Sequence, residues 1–231
     1  MDFCMTESAS PAQRNFDIFK ALTLVVFLAA WNALSDVLYD RLHLDSSSRT
    51  APPRMVLILL GTLVTCGGVV WLGCVVWAKR SLAALGWTAA NPARLLLLGL
   101  LVTVLMFAGI FGFVRLLGGM DRVRAFAAAI AGMPASERLF FAIMGAKVAF
   151  VEETLFRGLT LPALAQRTGR LAAVVLSGVI FGLYHRSLFP LPLLLMKMAL
   201  GSLFAVFTLV SRSLVPAWLG HSLLWAIAGD N

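Results

Sequence analysis

The chain has 231 residues, 60% of them apolar and 13% charged, with a formal net charge of +8 and a mean hydropathy of +0.90. A soluble domain carries about one quarter charged residues, so this composition excludes an ordinary soluble fold and describes an all-α polytopic membrane protein. The basic excess is scattered through short loops instead of clustered on a polar face, which excludes a nucleic-acid partner and leaves membrane lipid as the surrounding medium.

In chain order, residues 1–15 form a polar tail of mixed charge. It is not a cleavable signal peptide, so the first apolar segment is expected to serve as an uncleaved anchor. That segment runs from Phe16 to Leu38, with Asp17 and Lys20 at its start and Asp36 and Asp40 at its end. A polar loop with His43 follows and closes on Pro52-Pro53. Met55 to Ala78 carries no charge and reads as the cleanest spanning helix, ended by Lys79-Arg80. Gly86-Trp87 and Asn91-Pro92 mark a turn. A third span runs from Arg94 to Val114 and ends near Arg115 and Gly118-Gly119.

Asp121 to Gly132 is shorter and reads as an interfacial or connecting helix. A fourth helix runs from Glu137 towards Leu161-Pro162. Leu171 to Tyr184, Leu191 to Val210 and Leu214 to Ala228 complete the set. The expected architecture is a bundle of about seven transmembrane helices with an extra interfacial one. It divides into the tail (1–15), N-terminal transmembrane helices with a connecting segment (16–134), and a C-terminal group of helices (135–231). Cys4, Cys66 and Cys74 show neither metal spacing nor a disulfide framework. Arginines and lysines occupy nearly every loop, so the positive-inside rule assigns no orientation.

Of the eleven acidic residues, only Glu152 and Glu153 lie well inside an apolar helix. A charge at bilayer depth costs at least ~2.5–3.5 kcal/mol, so such residues mark function by default. Glu153 and Arg157 are four apart and share a helix face, so they can pair. Glu152 points about 100° away and has no local partner. His185 and His221 sit in or at the end of later apolar helices. On the helix of His185, positions Gly178, Phe181, Gly182 and His185 share one face, whose glycines admit a close neighbour and can bring His185 to the glutamate helix. Ala217 and Gly220 give His221 the same opportunity. Lys147 and Lys197 also fall in apolar segments and are expected to snorkel or pair.

These residues resemble the motifs of the CPBP family, the CAAX proteases and bacteriocin-processing enzymes that include the type II CAAX prenyl endopeptidases. EExxxR stands complete as Glu152-Glu153-Thr154-Leu155-Phe156-Arg157, and FxxxH as Phe181-Gly182-Leu183-Tyr184-His185. A third motif, HxxxN or a variant, begins at His221 but ends in Trp225. A second departure is Phe189, one turn after His185, where the family often carries a polar residue.

The resemblance covers roughly Ala135 to Ile227. It implies an intramembrane endopeptidase that acts on a peptide or membrane-protein substrate, lipidated or not. Its expected location is a membrane, as a multi-pass protein, with the bacterial inner membrane the one expected. Desolvation makes a carboxylate a better base, so Glu152 is expected to activate water, with Glu153 and Arg157 in support. Phe181 is expected at the substrate. His185 and His221 can polarise the carbonyl and hold the oxyanion. Alternatively, with Glu152, they can form a two-histidine, one-carboxylate zinc site. The chemistry without a required cofactor is favoured. Two other classes use the same residues: a non-catalytic scaffold or immunity factor of this fold, and a proton-coupled transporter.

Overall fold

The computed structural model describes residues 11–41, 58–132, 134–185 and 191–228, and every regular element among them is a helix. The loop containing His43, Cys4 in the tail, and Phe189 lie outside the described residues. Helix α1 spans Pro11–Arg41 and α2 spans Ile58–Trp77, the latter π-helical over Leu63–Trp77. Helix α3 spans Pro92–Gly132 and α4 spans Ala135–Glu153. A π-helical segment, Thr154–Thr160, continues α4 into α5, Leu161–Thr168. The bundle ends with α6 (Arg170–Tyr184), α7 (Leu191–Ser211) and α8 (Val215–Ala228).

Among the described residues, four helices are long and apolar enough to cross a membrane: Asp17–Ser35, Ile58–Trp77, Pro92–Asp121 and Leu191–Ser211. Arg170–Tyr184 and Val215–Ile227 are apolar but shorter. The break expected near Gly118-Gly119 is present, since Gly119 has φ 71 and ψ −172, a left-handed conformation that a residue with a Cβ avoids. The glutamate helix differs from expectation at its far end. It does not stop at Leu161-Pro162 but runs on to Thr168, because Pro162 falls in the first turn of α5, where its missing N–H leaves no bond unmade.

Three apolar clusters hold the bundle. One joins α1, α2, the glutamate region and α6 through residues such as Leu28, Val70, Leu155, Phe156 and Phe181. The second joins α3, α7 and α8 through Val102, Met106, Phe204 and Ala217, and the third joins α5, α6 and α7. Every residue from Val151 to Leu161 is buried. A helix covered on all sides needs neighbours all round, and these clusters supply them. On the outside, Val26, Leu63, Leu72, Leu97, Val104 and Leu171 are exposed, a surface suited to lipid.

The glycine face of α6 meets a different partner from the one expected. Gly178 and Gly182 abut Met198 and Ser202 of α7, and a Cβ on Gly201 would stand 3.0 Å from the Gly178 Cα. The close approach is thus α6 to α7, not α6 to the glutamate helix. Gly220 lies against Val102 of α3. The contact between α4 and α8 uses Gly145, whose Cα faces the Trp225 side chain directly, and a bond from Trp218 Nε1 to Ala146 O at 2.9 Å.

Candidate active site

The two glutamates close α4, and the chain widens immediately after them. Leu161 N–H reaches back to Phe156 O, and the Thr160 hydroxyl donates to Leu155 O at 2.9 Å, both five residues earlier. Such π-helical turns are frequent at functional sites. Arg157 lies within this widened turn and still reaches Glu153, its Nη1 donating to Glu153 Oε1 at 3.2 Å with both side chains fully buried. Arg157 Nη2 donates to Gly201 O at 3.0 Å, a carbonyl brought near by the α6–α7 glycine contact. The guanidinium also lies over the rings of Phe181 at 4.3 Å, Phe204 at 5.2 Å and Phe156 at 5.8 Å. A desolvated cation is attracted by aromatic faces, so a carboxylate, a carbonyl and three rings replace part of the water Arg157 has lost, while its Nε has no hydrogen-bond partner among the described residues.

Both histidines are fixed by groups that only accept hydrogen bonds. His221 Nδ1 donates to Glu153 Oε1 at 3.0 Å, and its ring stacks on Phe204 with centroids 5.2 Å apart. His185 caps the end of α6, and its Nδ1 donates to Phe181 O at 2.8 Å. With the hydrogen held on Nδ1 in each case, Nε2 of each neutral ring carries no hydrogen and can accept. Both Nε2 atoms face Glu152: His185 Nε2 is 3.9 Å from Oε1 and His221 Nε2 is 3.8 Å from Oε2.

The glutamates are therefore unequal. Glu153 Oε1 accepts from Arg157 and from His221 together. Glu152 accepts only from the Tyr184 hydroxyl, at 3.3 Å on Oε1; the Oε2 atoms of both glutamates have no hydrogen-bond partner among the described residues, but only that of Glu152 faces an imidazole Nε2. The spacing of EExxxR indicates the Glu153–Arg157 pair and the lack of a local partner for Glu152, and both stand. Tyr184 and Lys197 are missed by that reasoning. Lys197, expected to snorkel or pair, acts electrostatically on Glu152 and His185 from α7. The available signal for Tyr184 was its position beside His185. A further polar residue, Asn32 on α1, donates from Nδ2 to the Tyr184 hydroxyl. Its signal was being the one side-chain amide within Phe16 to Leu38.

Phe181 is 1% exposed, wedged between Arg157, His185 at 4.6 Å and Phe156 at 5.1 Å, where it supports the charged groups. Trp225 occupies the notch at Gly145, so the large ring at the third motif's last position is matched by a missing side chain on α4. Two imidazoles and a carboxylate are donors that zinc accepts, and each ring has its outer nitrogen engaged as ligand histidines do. The spacing does not follow, because among the described residues no three His, Cys, Asp or Glu side chains converge as metal ligands.

Residues 134–227 match the family model described as type II CAAX prenyl endopeptidase Rce1-like. No curated protein and no solved structure matches the chain. The matched stretch holds Glu152, Glu153, Arg157, His185 and His221 together, and leaves out α1, α2 and α3. Over residues 134–227, which hold every one of these charged and imidazole groups, the chain is similar to the Rce1-like family of membrane-embedded proteases.

Proposed function

We propose that the chain is an intramembrane endopeptidase in which Glu152 activates the water that cleaves a peptide bond, working in a bacterial inner membrane on a CAAX-type or similar membrane-presented peptide. One observation carries this reading: the buried Glu152 carboxylate, held only by a phenol hydroxyl, faces the Nε2 atoms of two imidazoles at 3.8 and 3.9 Å. All of these groups accept hydrogen bonds, and at those separations none bonds another directly. A water between them brings the two hydrogens that such a cluster needs.

Glu152 takes one proton as the water oxygen adds to the scissile carbonyl, and returns it to the leaving amine. His221, with Glu153 accepting from its Nδ1–H, presents Nε2 to the water as an acceptor and orients it for attack. Arg157 holds Glu153 in place, and Glu153 in turn holds the His221 ring by Nδ1. His185 lines the opposite side of the water position.

The test is cleavage of an internally quenched, farnesylated peptide and its unprenylated twin by purified protein in proteoliposomes. We expect cleavage by the wild type and none by Glu152→Gln at equal reconstitution. Equal rates for the two proteins would exclude a hydrolytic role for Glu152 and leave the scaffold reading. The same assay after chelation, with metal content measured, decides the cofactor question. Full activity at negligible metal supports chemistry without zinc, and loss restored by zinc supports the two-histidine, one-carboxylate site.

A further inference from the structure

The polar groups around Glu152 do not all come from the family-matched stretch. Tyr184 lies on α6 beside His185, and its ring is fixed between Phe156 at 5.2 Å and His185 at 4.6 Å. Its hydroxyl oxygen accepts from Asn32 Nδ2, and Asn32 belongs to α1, outside residues 134–227. A phenol has one hydrogen to give. With Asn32 donating to the oxygen, that hydrogen is directed at Glu152 Oε1, 3.3 Å away and able only to accept when ionised.

We propose that Asn32 and Tyr184 form a positioning relay that holds Glu152 by Oε1 and turns Oε2 towards the water site, so that helix α1 sets the catalytic carboxylate. This rests on the reading of Glu152 as the base. The relay has a polarity, Asn32 to Tyr184 to Glu152. An acceptor at position 32 would reverse it, drawing the phenolic hydrogen away from Glu152. It also gives the N-terminal helices a role in the chemistry beyond covering the core: any change that moves α1 moves the base.

Two variants test it in the proteoliposome assay, with unfolding midpoints measured in detergent. Tyr184→Phe keeps the ring contacts and removes the hydroxyl. Asn32→Asp keeps the shape and substitutes an acceptor. Each is expected to lower kcat about tenfold with KM changed less than about twofold, the loss of one hydrogen bond to a charged group acting on the chemical step. The double variant is expected to fall no further than Tyr184→Phe, since both changes break the same chain.

A packing role alone predicts wild-type kcat for Tyr184→Phe, and that result would overturn the relay. So would a loss confined to KM, or wild-type kcat in Asn32→Asp. If one variant does not fold, the other decides on the same kcat criterion. Glu152→Gln is the separating control. If it is inactive while both relay variants match the wild type, only the relay fails; if it is active, the reading of Glu152 fails first.

Discussion

The glutamate region and the lipid-facing helices solve opposite problems with the same apolar alphabet. From Val151 to Leu161 every residue is buried, and two carboxylates and a guanidinium are enclosed there by α1, α6, α7 and α8. In α2 and α3, Leu63, Leu72, Leu97 and Val104 are exposed, and Met55 to Ala78 carries no charge. Charge is tolerated in the first region because Glu153 and Arg157 meet each other, and Arg157 also meets a carbonyl and an aromatic face. It is absent from α2 and from residues 95–114 of α3 because lipid supplies none of these. What separates the two regions is enclosure, and mean hydropathy does not report it.

The contrast can be broken at its centre. Arg157→Met leaves Glu153 buried without its cation and is expected to destabilise the fold by about 3–5 kcal/mol, read from thermal unfolding in detergent. Adding Glu153→Gln to Arg157→Met should recover part of that loss, because the stranded charge is removed with its partner. No destabilisation in Arg157→Met would mean that water reaches the pair and that the enclosure is incomplete. His221→Ala removes the group shared by both glutamates, and kcat is expected to fall about 10²–10³-fold as the attacking water loses the ring that orients it.

Gly201→Val sharpens the comparison at the helix contact that delivers the Gly201 carbonyl to Arg157. The added side chain meets the Gly178 Cα and the Phe181 ring, at an expected cost of about 1–3 kcal/mol in unfolding free energy. Leu97→Ala, on the outer surface of α3, should change stability by less than about 0.5 kcal/mol. A larger effect would show that Leu97 faces protein in the assembled state.

The parts of this site visible in the sequence are those that break the apolar rule. Glu152, Glu153, Arg157, His185 and His221 stand out because a titratable group at bilayer depth needs a reason. Gly118-Gly119 likewise shows the break in α3, since paired glycines permit the positive φ found at Gly119. What was hidden depends on pairing between helices far apart in sequence. Tyr184 carries a hydroxyl on a mainly apolar body, so its hydrogen bond to Glu152 is invisible until α6 is docked. Asn32 is 152 residues from Tyr184. The π-helical turn after Glu153 shifts backbone bonds by one residue and leaves no compositional mark. The partner of the Gly178 face was misassigned for the same reason, because a glycine stripe says that a helix comes close and not which one.

The most direct measurement compares Glu152→Gln with Glu153→Gln, recording single-turnover cleavage of the farnesylated quenched peptide and the unfolding midpoint of each protein. We predict that Glu152→Gln loses about 10²–10⁴ in rate while its midpoint stays near that of the wild type. Glu153→Gln should lower the midpoint as Arg157 loses its charge partner. The opposite pattern, with cleavage surviving in Glu152→Gln and the midpoint unchanged in Glu153→Gln, would contradict the division of labour between the two carboxylates.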